Sequence, residues 1–150
     1  MAYQKTLCIL KPGVLQRRIV GELISRIERK GLKIQAMKMM QIPRALGEEH
    51  YAEHKDKPFY ESLVGYMTSA PVIAMVVGGE EALPFLRTIG GKTKPADAAP
   101  GTIRGDFALI TQNNIIHAAD SPESAAREVA LFFDEAEILD YEDPNADWIS

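Results

Sequence analysis

Three histidines occur in the chain, and only His117 follows an apolar run and precedes a helix start, in "NNIIHAADSPES", residues 113–124. A neutral imidazole keeps one ring nitrogen unprotonated near neutral pH. It can therefore attack phosphorus, provided an acceptor holds the other nitrogen. Glu128 is the acceptor within reach: it lies in the next helical stretch, flanked by Ala125, Val129 and Phe132, where a carboxylate is less exposed than most. Asn114, just before the two isoleucines, could contact a sugar hydroxyl or a phosphate oxygen. Position alone favours a structural histidine.

The cations outside helix interiors strengthen the chemical reading. Lys11 ends an apolar strand and Arg87 lies late in a helix. Lys92, Lys94 and Arg104 fall in the aperiodic stretch "GGKTKPADAAPGTIRGD", residues 90–106, with Thr93 and Thr102 as hydroxyl donors. If strand ends and loops converge, these residues make a basic cleft on an acidic protein, and a small anion is its natural ligand. Phosphate fits best, since Arg meets it with a planar fork and Lys with a point charge. "GGKT" at 90–93 lacks the earlier glycine of a Walker loop, and protein-kinase motifs are absent. A rival pattern is "HYAEH", residues 50–54, which matches the H-x-x-E-H zinc-hydrolase motif. At helical spacing His50 and His54 would share a face with Glu53 as base, but no third ligand stands out. Exposed helix histidines are the plainer reading.

The elements that must position these residues can be read from periodicity. "KTLCILK" predicts a first strand ending near Lys11. "IVGELISRIERKG" predicts a helix with Val20, Leu23, Ile24 and Ile27 inward and Gly31 as its stop. "LKIQAMKMMQI" predicts a second strand whose phase slips near Met37, the mark of a bulge. "RALGEEHYAEH" and "PFYESLVGYM" predict two short helices, with Phe59, Leu63 and Tyr66 on one face of the second. "PVIAMVV" reads as a central strand. "EEALPFLRTIGG" reads as a helix with an apolar stripe of Ala82, Phe85, Leu86 and Ile89. "FALIT" is the expected fourth strand, and "SPESAAREVALFF" a helix capped by Ser121 with Pro122 in its first turn. The order β α β α α β α β α predicts an α+β, ferredoxin-like domain: a four-stranded antiparallel sheet with helices on one face.

The bulk numbers set limits on partners. A chain of 150 residues fits one domain, and its 46% hydrophobic residues suffice for a core. A net charge of −4 argues against broad binding to nucleic acid, and the expected strands carry almost none of the aromatics that stack RNA bases. The single cysteine, Cys8, excludes an internal disulfide and suits a reducing compartment. No apolar run approaches the roughly 20 residues of a membrane span. "MAYQKT" shows no signal-peptide pattern, so a cytoplasmic protein without membrane partners is expected.

"KPGVLQRRIVGELISRIERKGL", "HYAEHKDKPFY", "GKTKPADAAPGTIRGDF" and "NNIIHAADSPESAAREV" together resemble nucleoside diphosphate kinase, over nearly the whole chain. The resemblance implies one such domain over residues 1–150. It also implies γ-phosphoryl transfer from a nucleoside triphosphate, mainly ATP, to nucleoside diphosphates by ping-pong kinetics through a phosphohistidine at His117. Glu128 resembles the carboxylate that orients the histidine. Lys11, Tyr51, Arg87, Thr93, Arg104 and Asn114 resemble the phosphate and ribose contacts. Phe59 resembles the aromatic that stacks on the base, and Leu63 its apolar neighbour. Mg²⁺ is expected to arrive with the nucleotide, with no metal held by the protein alone. A hexamer is expected from the tail through Trp148-Ile149 and the loop around Pro95, with a tetramer as the alternative. A binding module that keeps the pocket without catalysis is the competing reading.

Three departures stand out. The family's Lys-Pro-Asp-Gly is here Lys11-Pro12-Gly13-Val14, and Arg18 stands where glycine is common. The family's His-Gly-Ser-Asp is here His117-Ala118-Ala119-Asp120, which removes a hydroxyl two residues after the histidine.

Overall fold

The computed structural model describes residues 2–149. Strands β1 (Tyr3–Leu10), β2 (Lys33–Met40), β3 (Val72–Glu80) and β4 (Ile116–Ala118) form one sheet in the order β2-β3-β1-β4. Every neighbouring pair is antiparallel, as the ferredoxin-like arrangement requires. The helices are α1 (Val14–Arg17), α2 (Val20–Lys30), α3 (Arg44–His50), α4 (Tyr60–Met67), α5 (Ala82–Gly90), α6 (Ile103–Phe107), α7 (Pro122–Phe132) and α8 (Ala146–Ile149).

The helices cover both faces of the sheet, not one. Side chains alternate along a strand. In β1, Cys8 and Leu10 pack with Leu23 and Ile27 of α2, Leu86 of α5 and Ile103 of α6. Leu7 and Ile9 pack with Val64 and Met67 of α4 and Phe132 of α7. The sequence carries the reason: Leu7 to Leu10 and Val72 to Val77 have no polar member, and a strand apolar on both sides must be buried on both sides. The register of β2 slips between Ile34 and Ala36, slightly before the expected bulge.

Three local expectations are corrected. "FALIT" is not a strand. Phe107 closes α6, which Thr102 caps by accepting the Gly105 N–H at 3.0 Å. The free edge of β1 pairs instead with Ile116–Ala118, leaving Leu109 94% and Ile110 62% exposed. Of the apolar run of "FALIT", Phe107 and Ala108 pack against the core and Leu109 and Ile110 do not. The inward face of α5 includes Leu83, whereas Phe85 is exposed. Finally, "RALGEEHYAEH" is not continuous helix: α3 ends at His50, and Ala52–His54 form a 3₁₀ turn. The helix start at Ser121 is as expected, its hydroxyl accepting the Ser124 N–H at 3.1 Å. Among the described residues no helix is long and apolar enough to cross a membrane.

Candidate active site

His117 is the middle residue of β4 and pairs with Ile9 of β1. Directly opposite residues project to the same side of a sheet, so His117 faces the layer of α3, α4 and α7. There its Nε2 lies 2.7 Å from Oε1 of Glu128, a buried residue of α7. A carboxylate only accepts, so Nε2 carries the proton and donates it. The lone pair is therefore on Nδ1. The bond fixes both the tautomer and the ring orientation of His117.

The approach to His117 is strained. Ile115 has φ 79°, and the Ile116 N–H donates to the Asn114 carbonyl at 2.9 Å. This is a γ-turn with positive φ at its centre, a conformation costing about 1–3 kcal/mol for a β-branched residue. The turn places Asn114, which is 2% exposed, between two cleft walls. Its Oδ1 accepts from Lys11 Nζ at 2.6 Å, and its Nδ2 donates to the Thr93 carbonyl at 2.9 Å.

Lys11 sits just past the end of β1. Its own N–H donates to the Ile115 carbonyl at 2.8 Å, and Tyr66 Oη donates to the Pro12 carbonyl at 2.8 Å. The altered Gly13-Val14 turn therefore leaves Lys11 anchored on both sides. Gly13 takes φ 101°, which its missing side chain permits. Arg18 at the end of α1 has φ 56°, a left-handed conformation better suited to glycine, which explains why glycine is common there. Burial lowers the Lys11 ammonium to about 7, with the Arg104 charge adding to the shift. Arg104 donates at 2.6 Å to both the Gly91 and Ile116 carbonyls. Burial, then the Arg87 charge, lowers its guanidinium to about 10. Arg87 donates to the Ala118 and Ala119 carbonyls at 3.3 and 3.4 Å, beside His117. Unneutralised cations pressed together in a buried cleft raise one another's energy, and an anion relieves all of them at once.

These groups line one cleft of about 550 Å³, a size suited to a small ligand. It brings together all the expected site residues: Lys11, Tyr51, Phe59, Leu63, Arg87, Thr93, Arg104, Asn114, His117 and Glu128. Tyr51 is buried, and its hydroxyl is pushed up by burial and then by Glu128, so it stays a donor. Phe59 is 46% exposed at the rim, free of the core packing its position in the sequence equally suggested. Lys92 and Lys94 are exposed and lie outside the cleft, and Thr102 serves as a helix cap instead.

Sequence reasoning missed the placement of His50. It is 4% exposed rather than on a solvated face, and its ring meets that of His117 edge-on with centroids 4.8 Å apart. Gly47 and His50, three apart, share the buried face of α3, and that spacing was the available signal. Burial, with the charges of His117, Arg127, Lys11 and His54, drives its pKa down to about 2. The H-x-x-E-H reading fails with the helix. His54 turns to Lys57, with Nδ1 and Nζ 3.0 Å apart, while His50 turns inward.

The comparisons agree with this geometry. Residues 4–138 match the family model of nucleoside diphosphate kinase. A nucleoside diphosphate kinase of Archaeoglobus fulgidus is 56% identical over 146 residues, covering 97% of each chain. One of Treponema pallidum is 55% identical over 148 residues, covering 99% of each. The crystal structure of a family protein from Babesia bovis superposes with a TM-score of 0.94 at 40% identity, covering 98% of this chain and 99% of that one. The structure of the halophilic enzyme from Halobacterium salinarum, in complex with CDP, gives 0.96 at 42% identity and 99% coverage of both. With its sheet order, its histidine–glutamate pair and these relatives, the chain belongs to the nucleoside diphosphate kinase family.

Proposed function

We propose that the chain transfers the γ-phosphoryl group of a nucleoside triphosphate, mainly ATP, to nucleoside diphosphates through a phosphohistidine at His117. Nδ1 attacks the γ-phosphorus as the bond to the β–γ bridging oxygen breaks, and the nucleoside diphosphate leaves. A second diphosphate then enters, and its terminal β-phosphate oxygen takes the phosphoryl group from Nδ1. The observation that carries the reading is the Nε2–Glu128 bond of 2.7 Å in a cleft walled by Lys11, Arg87 and Arg104. Little bond-making chemistry is asked of the protein in phosphoryl transfer. Positioning and charge neutralisation supply most of the catalysis.

In this reading Lys11, Arg87, Arg104 and Thr93 hold the phosphates, while Asn114 and Tyr51 contact phosphate or ribose. Phe59 stacks on the base with Leu63 beside it. Stacking on a phenyl face tolerates any base, so one site serves many nucleotides. Mg²⁺ would enter with the nucleotide as part of the substrate and would neutralise part of its phosphate charge beside Lys11, Arg87 and Arg104. The whole chain works as one such domain in the cytoplasm, as a hexamer. Exposed Met37 and Met39 on the edge strand β2, with exposed Leu109 and Ile110, support an assembly.

The test is incubation with Mg-ATP alone, intact-mass detection of an acid-labile phosphoryl adduct, then addition of GDP. An adduct that GDP discharges to GTP, and that His117→Ala lacks, is expected. Bound nucleotide without an adduct would instead make the chain a binding module.

A further inference from the structure

His50 lines the cleft and has no part in the proposed phosphotransfer. Both of its ring nitrogens are buried and have no hydrogen-bond partner among the described residues, although buried polar atoms are nearly always paired. One ligand atom each from His50, His117 and Glu128 fall within 4.8 Å of one another. We propose that these three side chains form an inhibitory binding site for a divalent transition-metal ion, with Zn²⁺ the ion that fits best.

The donor set carries the choice of ion. Two imidazoles and one carboxylate with a fourth position open to the cleft are a zinc ligand set. Mg²⁺ prefers oxygen ligands and keeps its waters, so the ion that accompanies the nucleotide does not compete here. Tetrahedral zinc with bonds of about 2.0–2.1 Å holds its ligand atoms roughly 3.4 Å apart. The His117–Glu128 pair, 2.7 Å apart, would open slightly, and the widest separation of the set, at most 4.8 Å, would close. The "HYAEH" segment thus supplies one zinc ligand, His50, but its partners come from β4 and α7 rather than from His54.

The inhibitory consequence rests on the proposed phosphotransfer reading, whereas the site itself does not. An ion on Nε2 displaces the proton to Nδ1, which removes the lone pair that attacks phosphorus. An ion on Nδ1 occupies the nucleophile outright. In both cases no phosphohistidine forms.

The experiment is calorimetric titration of the full chain with zinc chloride in the absence of nucleotide, together with the visible spectrum of the Co²⁺ form. One ion per chain is expected, with tetrahedral Co²⁺ absorption. Affinity should fall at least about tenfold in His50→Phe and in Glu128→Gln. Glu128→Gln keeps the size and the acceptor that His117 needs, so it tests the site even if His50→Phe misfolds. A Glu53→Gln/His54→Gln double variant should bind zinc like the parent. In a second arm, chain loaded with one equivalent of zinc should form no adduct from Mg-ATP until a zinc-selective chelator is added. The proposal is overturned if the parent binds no zinc, if Glu128→Gln binds it unchanged, or if loaded chain is phosphorylated at the zinc-free rate. Absence of an adduct in zinc-free chain counts against phosphotransfer instead, and the titration still decides the metal site.

Discussion

Removing the Glu128 carboxylate should slow phosphorylation of His117 without weakening nucleotide binding. The bond in question is 2.7 Å long, joins a ring nitrogen to a carboxylate, and is largely shielded from water, with side chains 18% and 10% exposed. A hydrogen bond to a charged group contributes about 1.5–3 kcal/mol. With every ~1.4 kcal/mol worth a factor of ten in rate, Glu128→Ala should slow adduct formation by about 10- to 150-fold. Glu128→Gln keeps an acceptor but loses the charge. A neutral bond is about half as strong, so its loss should be about 3- to 10-fold. The assay is single-turnover rapid quench with Mg-ATP in zinc-free buffer, with ADP affinity measured in parallel by calorimetry. Because Glu128 bonds to His117 and not to the phosphate cations, the affinity should not change. An unchanged quench rate in Glu128→Ala, or a rate loss matched by an equal affinity loss, would refute the claim that this carboxylate acts by fixing Nδ1 as the nucleophile.

Other consequences follow from the same cleft. Lys11 titrates near 7 when the cleft is empty, because burial and Arg104 disfavour its charge, and a bound phosphate favours the charge again. Nucleotide binding should therefore take up a proton above about pH 7, and affinity should fall as pH rises, by at most about tenfold per unit. Calorimetry in buffers of different ionisation heat reads both effects, and flat affinity from about pH 6.5 to pH 9 would contradict them. Without ligand the sign reverses for stability: the folded state binds fewer protons at Lys11 than the unfolded chain, so stability should rise with pH between about 7 and the ordinary lysine value. Thermal melts across that window test it. Phe59→Ala should raise Kd for nucleotides by about 5- to 150-fold, the worth of about 1–3 kcal/mol of stacking, while leaving Tm nearly unchanged, since Phe59 is 46% exposed. Ala119→Ser would restore the hydroxyl two residues after His117 and should raise turnover by up to about fivefold, the worth of one neutral hydrogen bond of about 1 kcal/mol. Unchanged turnover would mean that the absent hydroxyl has no part in the loop.

The parts of this site that were legible in the sequence are those whose chemistry is local. Lys11 follows an apolar strand, His117 and Glu128 sit on either side of a capped helix start, and Arg104 lies in a long stretch without sequence periodicity, which often carries function. What was not legible depends on partners. A strand exists only where its ladder is completed, and β1 completes its ladder with Ile116–Ala118, so the apolar "FALIT" found no edge to join. A histidine on a short, charged helix such as that of His50 is ordinarily solvated. The burial of His50 is set by its neighbour Tyr51 and by His117 and Phe132 from distant parts of the chain, whose rings stand 4.5, 4.8 and 5.2 Å from it.

The strained turn at Ile115 has no sequence signal at all, and it is what makes the cleft possible. Along a regular strand side chains alternate, so Asn114 and His117, an odd number of residues apart, would project from opposite faces of the sheet. Asn114 would then lie with Cys8 and Leu10 in the layer of α2 and α5, unable to share a ligand with His117. The positive φ of Ile115 interrupts the alternation after Asn114 and before β4 begins. It lets Asn114 reach Lys11 and Thr93 while His117 still pairs with Ile9 and turns to Glu128. A β-branched residue is among the worst choices for that conformation, yet its side chain is 6% exposed and packs in the core beside Ile116. Glycine would relieve the backbone but would leave a cavity of several carbon atoms, a loss of about 2–5 kcal/mol by comparison with other truncations in cores. The apolar contact outweighs the 1–3 kcal/mol that such strain is worth, roughly. The residue that bends the chain next to His117 is thus held in its unfavourable conformation by the same core that anchors β4.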